Sequence, residues 1–253
     1  MSVSPLYSKQ VAVVIPARLD SVRLPGKLLL KLIDKPVLKH VFDRCTKCKL
    51  INQVWIATDS EKIFSLAKEF TDRVILSKKK HPSGTSRIAE AAKHINADYL
   101  INVQGDEVFI DPKLIDKLAV SLVEGKLNAV SAAFLSSDLK IINSINTAKV
   151  IVDKDMNGIY FSRLPVPYQL IKKDTEKPTS HWIHIGIYGY HRDFLQKYIT
   201  WPASPLEKLE SLEQLRIIYH CAKIKIIPHA QSMKLSIDTK KDFLAAKKLL
   251  TTH

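Results

Sequence analysis

Short apolar runs alternate with amphipathic segments along the first half of the chain. The run at 10–16 is nearly continuous and β-branched, which is typical of a parallel strand buried on both faces. Pro36 suits the first turn of a helix, and Asp59-Ser60 suits a helix cap. Further strands are predicted at 54–58, 74–76 and 99–103, with helices at 36–48, 59–70 and 87–95. This alternation predicts βαβ units on a parallel sheet.

The pattern changes after about Lys126. Two apolar runs, Ala148–Val152 and Gly158–Ser162, flank an Asn157-Gly158 pair that predicts the turn of a hairpin. The remaining predicted elements are a strand at 183–190, a long helix at 206–219, a strand at 223–228 and a helix at 240–250. The expected fold is therefore α/β, a mainly parallel, doubly wound (Rossmann-like) sheet with an antiparallel or mixed extension. The whole chain, 1–253, is interpreted as a single domain.

Composition and charge exclude several classes of protein. The chain has 253 residues, 46% of them hydrophobic, and a net charge of +14. Its lysines are scattered, as in Lys78–Lys80 and Lys172-Lys173, and they form neither a basic helix face nor an aromatic-interleaved stripe. A nucleic-acid-binding module is therefore the weakest interpretation. No segment approaches the ~20 apolar residues of a membrane span, and the N-terminus resembles no targeting peptide, so a cytoplasmic location is expected.

Two of the three cysteines have the C-x-x-C spacing, in Cys45-Thr46-Lys47-Cys48. That spacing leaves a redox or zinc function open. However, no second C-x-x-C completes a zinc site, and the pair lies near the end of a predicted helix. Reduced thiols are the favoured interpretation.

The loop after the first predicted strand carries the clearest candidate chemistry. It contains Arg18, Arg23 and Lys27, and Gly26 and two prolines constrain it. Guanidinium groups bind phosphate oxygens in pairs, and a lysine ammonium supplies a compact charge. The loop matches neither a P-loop nor a dinucleotide-binding fingerprint. Its position at the carboxyl end of a strand favours a triphosphate site, with a basic surface loop as the alternative.

The same loop resembles the N-terminal motif of the CMP-sugar synthetases, and in particular those that activate 3-deoxy-manno-octulosonate (KDO). Further segments similar to that family follow in order between about 11 and 250: Ser83–Thr85, Asn102–Glu107, Tyr160–Arg163, His184–Tyr190, Ser204–Glu207 and Leu212–Arg216. The resemblance implies a nucleotidyltransferase sheet. It also implies an enzyme of lipopolysaccharide biosynthesis that transfers CMP from CTP to KDO, with Mg²⁺ as cofactor, as a homodimer. Residues of about 10–125 would bind CTP, and those of about 126–253 the sugar and the second subunit.

The resemblance implies that Asp106 and Asp238 are catalytic residues that bind Mg²⁺, and that Lys27 acts on the leaving pyrophosphate. The segment around Asp238 departs from the family, because Ser236 and Lys240 replace a usual glycine and proline, and Val108 replaces a proline after Asp106. Each aspartate has an alternative role as a helix cap, and for Asp238 the two roles can coexist.

For the nucleotide, the resemblance implies phosphate contacts from Arg18, Arg23 and Lys27, and contacts to the base from Ser83, Gly84, Thr85 and Gln104. A capping motif is the alternative for Ser83–Thr85.

For the sugar, it implies contacts from Arg163, His184, Tyr188, Glu213 and Gln214. Taken singly, His184 can also be a core histidine and Glu213 a solvated helix residue. Because His184 and Tyr188 are four apart on a predicted strand, both should project from one face.

Two other activities remain open. A cytidylyltransferase for another acidic sugar, such as sialic acid, would share the mechanism. A nucleotidyltransferase that uses UTP or GTP would differ in its base-binding residues.

Overall fold

The computed structural model describes residues 9–21, 23–81, 83–168, 179–230 and 236–251. The strands in these residues are β1 Val11–Ala17, β2 Lys31–Leu32, β3 Lys35–Pro36, β4 Gln53–Thr58, β5 Val74–Leu76, β6 Tyr99–Asn102, β7 Ala129–Ser136, β8 Lys149–Val152, β9 Gly158–Ser162, β10 His181–His191 and β11 Lys225–Pro228. The helices are α1 Val37–Cys45, α2 Glu61–Lys68, α3 Gly84–Ala91, α4 Pro112–Glu124, α5 Leu139–Ile142, α6 Arg192–Tyr198, α7 Pro205–Glu210, α8 Leu215–Tyr219 and α9 Lys240–Thr251, with a 3₁₀ turn at Lys27–Leu29.

The main sheet has the strand order β11-β7-β10-β6-β1-β4-β5, and β8 joins it by pairing with β10 and β9. Strands β6, β1, β4 and β5 are parallel to one another, and β7 is parallel to β11. Strand β10 runs antiparallel between β6 and β7. This topology confirms the predicted fold class, a mainly parallel sheet with an antiparallel extension.

Both faces of the sheet are covered by helices. Along β1, Val13 and Ile15 pack into one core, whereas Ala12 and Val14 pack into the other. Helices α1, α2, α4 and α9 cover the first face, and α3, α6 and α8 cover the second. A strand with both faces buried needs apolar side chains at every position, which explains the unbroken apolar run of β1.

The predicted strands of the first half are confirmed, as is the cap at Ser60, whose Oγ accepts from the Ile63 amide at 3.4 Å. Pro36 was expected in the first turn of α1 but lies at its N-cap. The sequence reasoning missed β7, a long strand buried over most of its length. Its small residues, Ala and Ser, carry little β-propensity, so only the apolar run itself could have identified it.

Two predictions about the second half are wrong in detail. The β8–β9 hairpin is present, but its turn lies at Asp153–Met156, and Gly158 already belongs to β9. There the Asp153 carboxylate accepts from the amides of Asp155 and Asn157 at 2.9 and 2.7 Å, which fixes the turn locally. The single helix expected at 206–219 is two short helices, α7 and α8, because the chain turns at Ser211 with φ 52°.

Two glycines of β10 provide a test of the packing. A Cβ at Gly189 would lie 2.6 Å from Leu122 Cδ1 and 2.8 Å from Val130 Cγ2, whereas one at Gly186 meets nothing within 4 Å. We expect Gly189→Ala to lower the free energy of unfolding by about 1–3 kcal/mol. The control Gly186→Ala should change it by less than about 0.5 kcal/mol. Urea unfolding measures both, and equal effects would contradict the close approach of α4 to β10.

Candidate active site

A cavity of about 360 Å³ opens near the carboxyl ends of β1 and β6. Ligands of doubly wound sheets bind at this edge, because the loops that leave the parallel strands converge there. The predicted site residues on its wall are Arg18, Ser83, Gly84, Thr85, Gln104, Tyr188, Glu213 and Gln214. Predicted nucleotide and sugar residues from both halves of the chain therefore share one cavity.

The remaining residues predicted for catalysis form an ion cluster on the same loops. The Lys27 ammonium donates to the Asp106 carboxylate and, at 2.9 Å, to Asp238 Oδ1, which lies 211 residues away in sequence. Arg23 pairs with the other oxygen of Asp238 at 3.0 Å. The Ile237 amide also donates to the Asp106 carbonyl at 3.1 Å, so the backbone itself holds the two aspartates together.

Neither aspartate is a helix cap. Asp111 caps α4 by accepting from the Lys113 amide at 3.0 Å. At α9, the Thr239 hydroxyl accepts from the Asp242 amide at 3.2 Å, and the Asp242 carboxylate accepts from the Thr239 amide at 2.8 Å. This reciprocal cap leaves the Asp238 carboxylate to the ion cluster, even though the usual glycine and proline are absent.

Electrostatics in the cluster depend on the balance between burial and charge. Burial lowers the pKa of Lys27, but the Asp106 and Asp238 carboxylates outweigh it and raise that pKa above its usual value. Burial raises the pKa of Glu107 to about 8, and the same two carboxylates add to the shift. Lys27 therefore stays charged at neutral pH, and Glu107 is mostly protonated.

The donor set of the cluster suits a hard divalent cation. In the part of the chain that the structure describes, no group of three or more His, Cys, Asp or Glu side chains could enclose a metal. Mg²⁺ does not need such a cage, since it is commonly bound by one or two carboxylates together with water and phosphate oxygens. The two aspartates beside a basic loop fit that pattern.

On the predicted nucleotide side, Ser83 caps α3 in a reciprocal capping box with Ser86. A Cβ at Gly84 would lie 3.4 Å from Pro16 Cγ and 3.7 Å from the Gln104 amide, which are ordinary contact distances, so the start of α3 lies directly against this wall. Gln104 is oriented by a 3.2 Å hydrogen bond from its Nε2 to Asn102 Oδ1. The capping role of Ser83 and a nucleotide-binding role for Gly84 and Gln104 are therefore compatible.

On the predicted sugar side, the Tyr188 hydroxyl donates to Gln214 Oε1 at 3.0 Å. Glu213 Oε2 and Gln214 Nε2 are buried without a hydrogen-bond partner among the described residues. Because buried polar atoms are normally paired, this wall retains unused hydrogen-bonding capacity next to the cavity.

Two residues predicted for the sugar are not on the cavity wall. His184 Nε2 lies 2.8 Å from Ser131 Oγ, and its ring contacts Phe161 and Tyr188 with centroid distances of 5.1 and 5.4 Å. The contact with Tyr188 confirms that the two side chains share a face. Arg163 donates to the carbonyls of Glu210, Ile145 and Ser211 at 2.7, 2.9 and 3.2 Å. Both side chains therefore contact other residues of the protein and do not line the cavity.

Several cavity residues were not predicted, namely His81, Arg87, Asn102, Gly186, Tyr190, Ser211 and Leu212. Arg87 is buried and pairs with Asp59 at 2.7 Å, which links α3 to the end of β4. Its position four residues after Ser83, one helical turn from the cap, was the signal available in the sequence.

The C-x-x-C pair shows no sign of redox chemistry. Both cysteines are free, and Cys45 is fully buried. Burial raises the pKa of Cys45 far above its usual value and that of Cys48 to about 12. Both side chains are therefore protonated thiols at neutral pH, which are poor nucleophiles and poor metal ligands.

Comparison with known proteins identifies the family. The cytidylyltransferase family model matches residues 12–225. This chain belongs to the cytidylyltransferase family. It is 37% identical over 242 residues to a 3-deoxy-manno-octulosonate cytidylyltransferase of Solibacter usitatus, a match that covers 95% of this chain and 94% of the relative. It is 39% identical over 241 residues to the protein of that name in Neisseria meningitidis, covering 92% of this chain and 95% of the relative.

A solved structure gives the same result. CMP:2-keto-3-deoxy-manno-octonic acid synthetase complexed with CTP superimposes with a TM-score of 0.88 at 33% identity, over 96% of this chain and 99% of that one. The family resemblance and the enzyme class, a nucleotidyltransferase, are confirmed. In the described part of this cytidylyltransferase, no helix is long and apolar enough to cross a membrane. Residues 1–8, where the sequence predicts no targeting peptide, lie outside that part.

The half-buried imidazole of His184 predicts a pH dependence of stability. Burial lowers its pKa to about 3, whereas an unfolded histidine titrates near 6.5. The unfolded chain therefore binds a proton that the folded one does not, and stability falls as the pH drops below about 6.5.

Between about pH 7.5 and 5, the wild type should lose about 1–2 kcal/mol of its free energy of unfolding because of His184. The substitution His184→Gln should abolish this part of the loss. Urea unfolding at the two pH values measures this. His94, at an exposed position, gives the control His94→Gln. The same pH dependence in His184→Gln as in the wild type would contradict a neutral imidazole at this position.

Proposed function

We propose that this cytidylyltransferase transfers CMP from CTP to KDO, with release of pyrophosphate and with Mg²⁺ as cofactor, as a step of lipopolysaccharide biosynthesis. The observation that carries the proposal is the contact of Lys27 with both Asp106 and Asp238, on the loops that border the cavity. The names of the relatives and the CTP complex of the similar structure support the substrates.

The basic residues of the first loop are suited to bind the triphosphate. The Arg18 side chain is exposed on the cavity wall, so its guanidinium can contact phosphate oxygens in pairs. Arg23 and Lys27 follow on the same loop and belong to the ion cluster. The raised pKa of Lys27 keeps its ammonium charged, so it can offset the negative charge that develops on the departing pyrophosphate.

Asp106 and Asp238 would hold the magnesium ion. When bound, Mg²⁺ neutralises phosphate charge and lowers the pKa of the attacking sugar hydroxyl. The two side chains are already held together by Lys27 and by the backbone hydrogen bond from Ile237 to Asp106, so little reorganisation is needed to present both carboxylates.

Tyr188, Glu213 and Gln214 are suited to bind the sugar. Together they offer hydroxyl, carboxylate and amide groups on one wall of the cavity, which is a common arrangement for polyols. Fixing the sugar there would align its anomeric hydroxyl with the α-phosphorus of CTP, and catalysis would consist mainly of positioning and charge neutralisation. His184, neutral because of its low pKa, supplies no proton at neutral pH.

A substrate panel tests the proposed reaction. We expect pyrophosphate release to require CTP, KDO and Mg²⁺ together, and to fall to background when any one is omitted. UTP, GTP and sialic acid serve as matched replacements. Faster turnover with one of them would overturn the substrate assignment, while turnover in the presence of a chelator would overturn the cofactor. The homodimer and the cytoplasmic location stay predictions.

A substitution tests the carboxylate pair. We expect Asp106→Asn to lower kcat by roughly a hundredfold or more while the chain stays folded, because the neutral amide no longer attracts Mg²⁺ and the Lys27 ammonium. The matched control is Asp43→Asn, since Asp43 also pairs with lysine, here Lys35 and Lys39, but lies in α1 and not on the loops that border the cavity. Steady-state pyrophosphate release and urea unfolding measure the two effects. Near-normal turnover of Asp106→Asn would remove the metal-binding role.

A further inference from the structure

The sugar-binding wall is an irregular piece of chain. Residues Ser211, Leu212, Glu213 and Gln214, here called the 211–214 wall, join α7 to α8 and line the cavity. Ser211 has φ 52°, a left-handed conformation that costs a non-glycine residue about 1 kcal/mol or more. Such a conformation persists only where surrounding contacts hold it in place.

The Tyr198 hydroxyl donates to the Glu213 carbonyl of the wall at 3.0 Å. Contacts at the start of the wall come from Arg163. Its Nε donates to the Glu210 carbonyl at 2.7 Å and one terminal nitrogen donates to the Ser211 carbonyl at 3.2 Å. The other terminal nitrogen donates to the Ile145 carbonyl at 2.9 Å. One guanidinium therefore ties the end of α7 and the start of the wall to the loop that precedes β8.

The Glu210 side chain in turn binds the strand end that carries Arg163. Its carboxylate accepts from the Arg163 amide and the Ser162 hydroxyl, both at 2.9 Å. The buried Lys149 donates to the Arg163 carbonyl at 2.5 Å and to the Ser144 and Thr147 carbonyls at 2.8 Å. Arg163 is thus fixed at its backbone and at its guanidinium. Glu210 accepts from both, through its carboxylate and its main-chain carbonyl respectively.

We propose that Arg163 is a positioning residue, which together with Glu210 holds the 211–214 wall in the conformation that binds the sugar. The inference rests on the proposed function and assigns Arg163 a role different from direct contact with the sugar carboxylate. All three groups that its guanidinium hydrogen-bonds among the described residues are main-chain carbonyls, and Arg163 is not on the cavity wall. Its effect on the substrate passes through Ser211 to Glu213 and Gln214.

Kinetics of substituted enzymes test the role. We expect Arg163→Met to raise the KM for KDO about tenfold or more and to leave the KM for CTP within about twofold, because the affected wall lies on the sugar side. Glu210→Gln should produce the same split. The double variant should be little worse than either single one, since both remove one network.

Arg163→Lys separates positioning from direct contact. A lysine keeps the positive charge but cannot form three fixed hydrogen bonds in the plane of a guanidinium, so we expect little recovery of the KM for KDO. Arg192→Met is the matched control. Arg192 also donates to main-chain carbonyls, those of Ala97 and Ile95, but it does so where β6 begins, at the opposite edge of the sheet. We expect that control to leave both KM values unchanged.

Hydrogen exchange gives a readout that does not depend on activity. We expect the amides of residues 211–215 to exchange faster in Arg163→Met and in Glu210→Gln than in the wild type and the control. Unchanged exchange in this segment, or a wild-type KM for KDO in Arg163→Lys, would overturn the proposal. If the wild type fails to turn over CTP with KDO, the proposed function falls, and the exchange measurement still decides whether Arg163 and Glu210 hold the wall.

Discussion

The contact of the Lys27 ammonium with the Asp106 and Asp238 carboxylates is the constraint on which the site depends. Two carboxylates side by side repel each other, and the repulsion is strongest where burial excludes water. Lys27, only 12% exposed, and Arg23 offset that repulsion. The cluster also joins the loop after β1 to the loop after β6 and to the segment before α9. It therefore holds these three segments together at the carboxyl ends of the strands.

The rest of the structure brings a second set of residues to that edge. The antiparallel strand β10 lies next to β6 and carries Tyr188 to the cavity, although the strand comes from the second half of the chain. The turn at Ser211 then directs Glu213 and Gln214 to the same cavity. A longer, uninterrupted helix would place these two side chains on different faces, because adjacent residues on a helix point about 100° apart.

Cations that bind main-chain carbonyls recur in this half of the molecule. Lys149 and Arg163 lie close together, and each donates to several carbonyl oxygens. Burial lowers the pKa of Lys149, and the positive charge of the nearby Arg163 lowers it further. Buried charges are tolerated only when hydrogen bonds replace the lost water. Here the same hydrogen bonds hold loops that have no regular secondary structure. These charged residues near the site therefore stabilise the main chain.

The sequence by itself determined the alternation of strands and helices, the doubly wound sheet and the chemistry of the loop after β1, because these follow from local periodicity and from the order of elements. It also indicated half of the residues that line the cavity. It did not reveal β7, whose small residues resemble no single element, nor the break at Ser211. Only the tertiary structure decided that Asp238 meets Lys27 and that Arg163 binds carbonyls of the protein. Contacts between distant segments depend on the path of the whole chain, which local patterns do not encode.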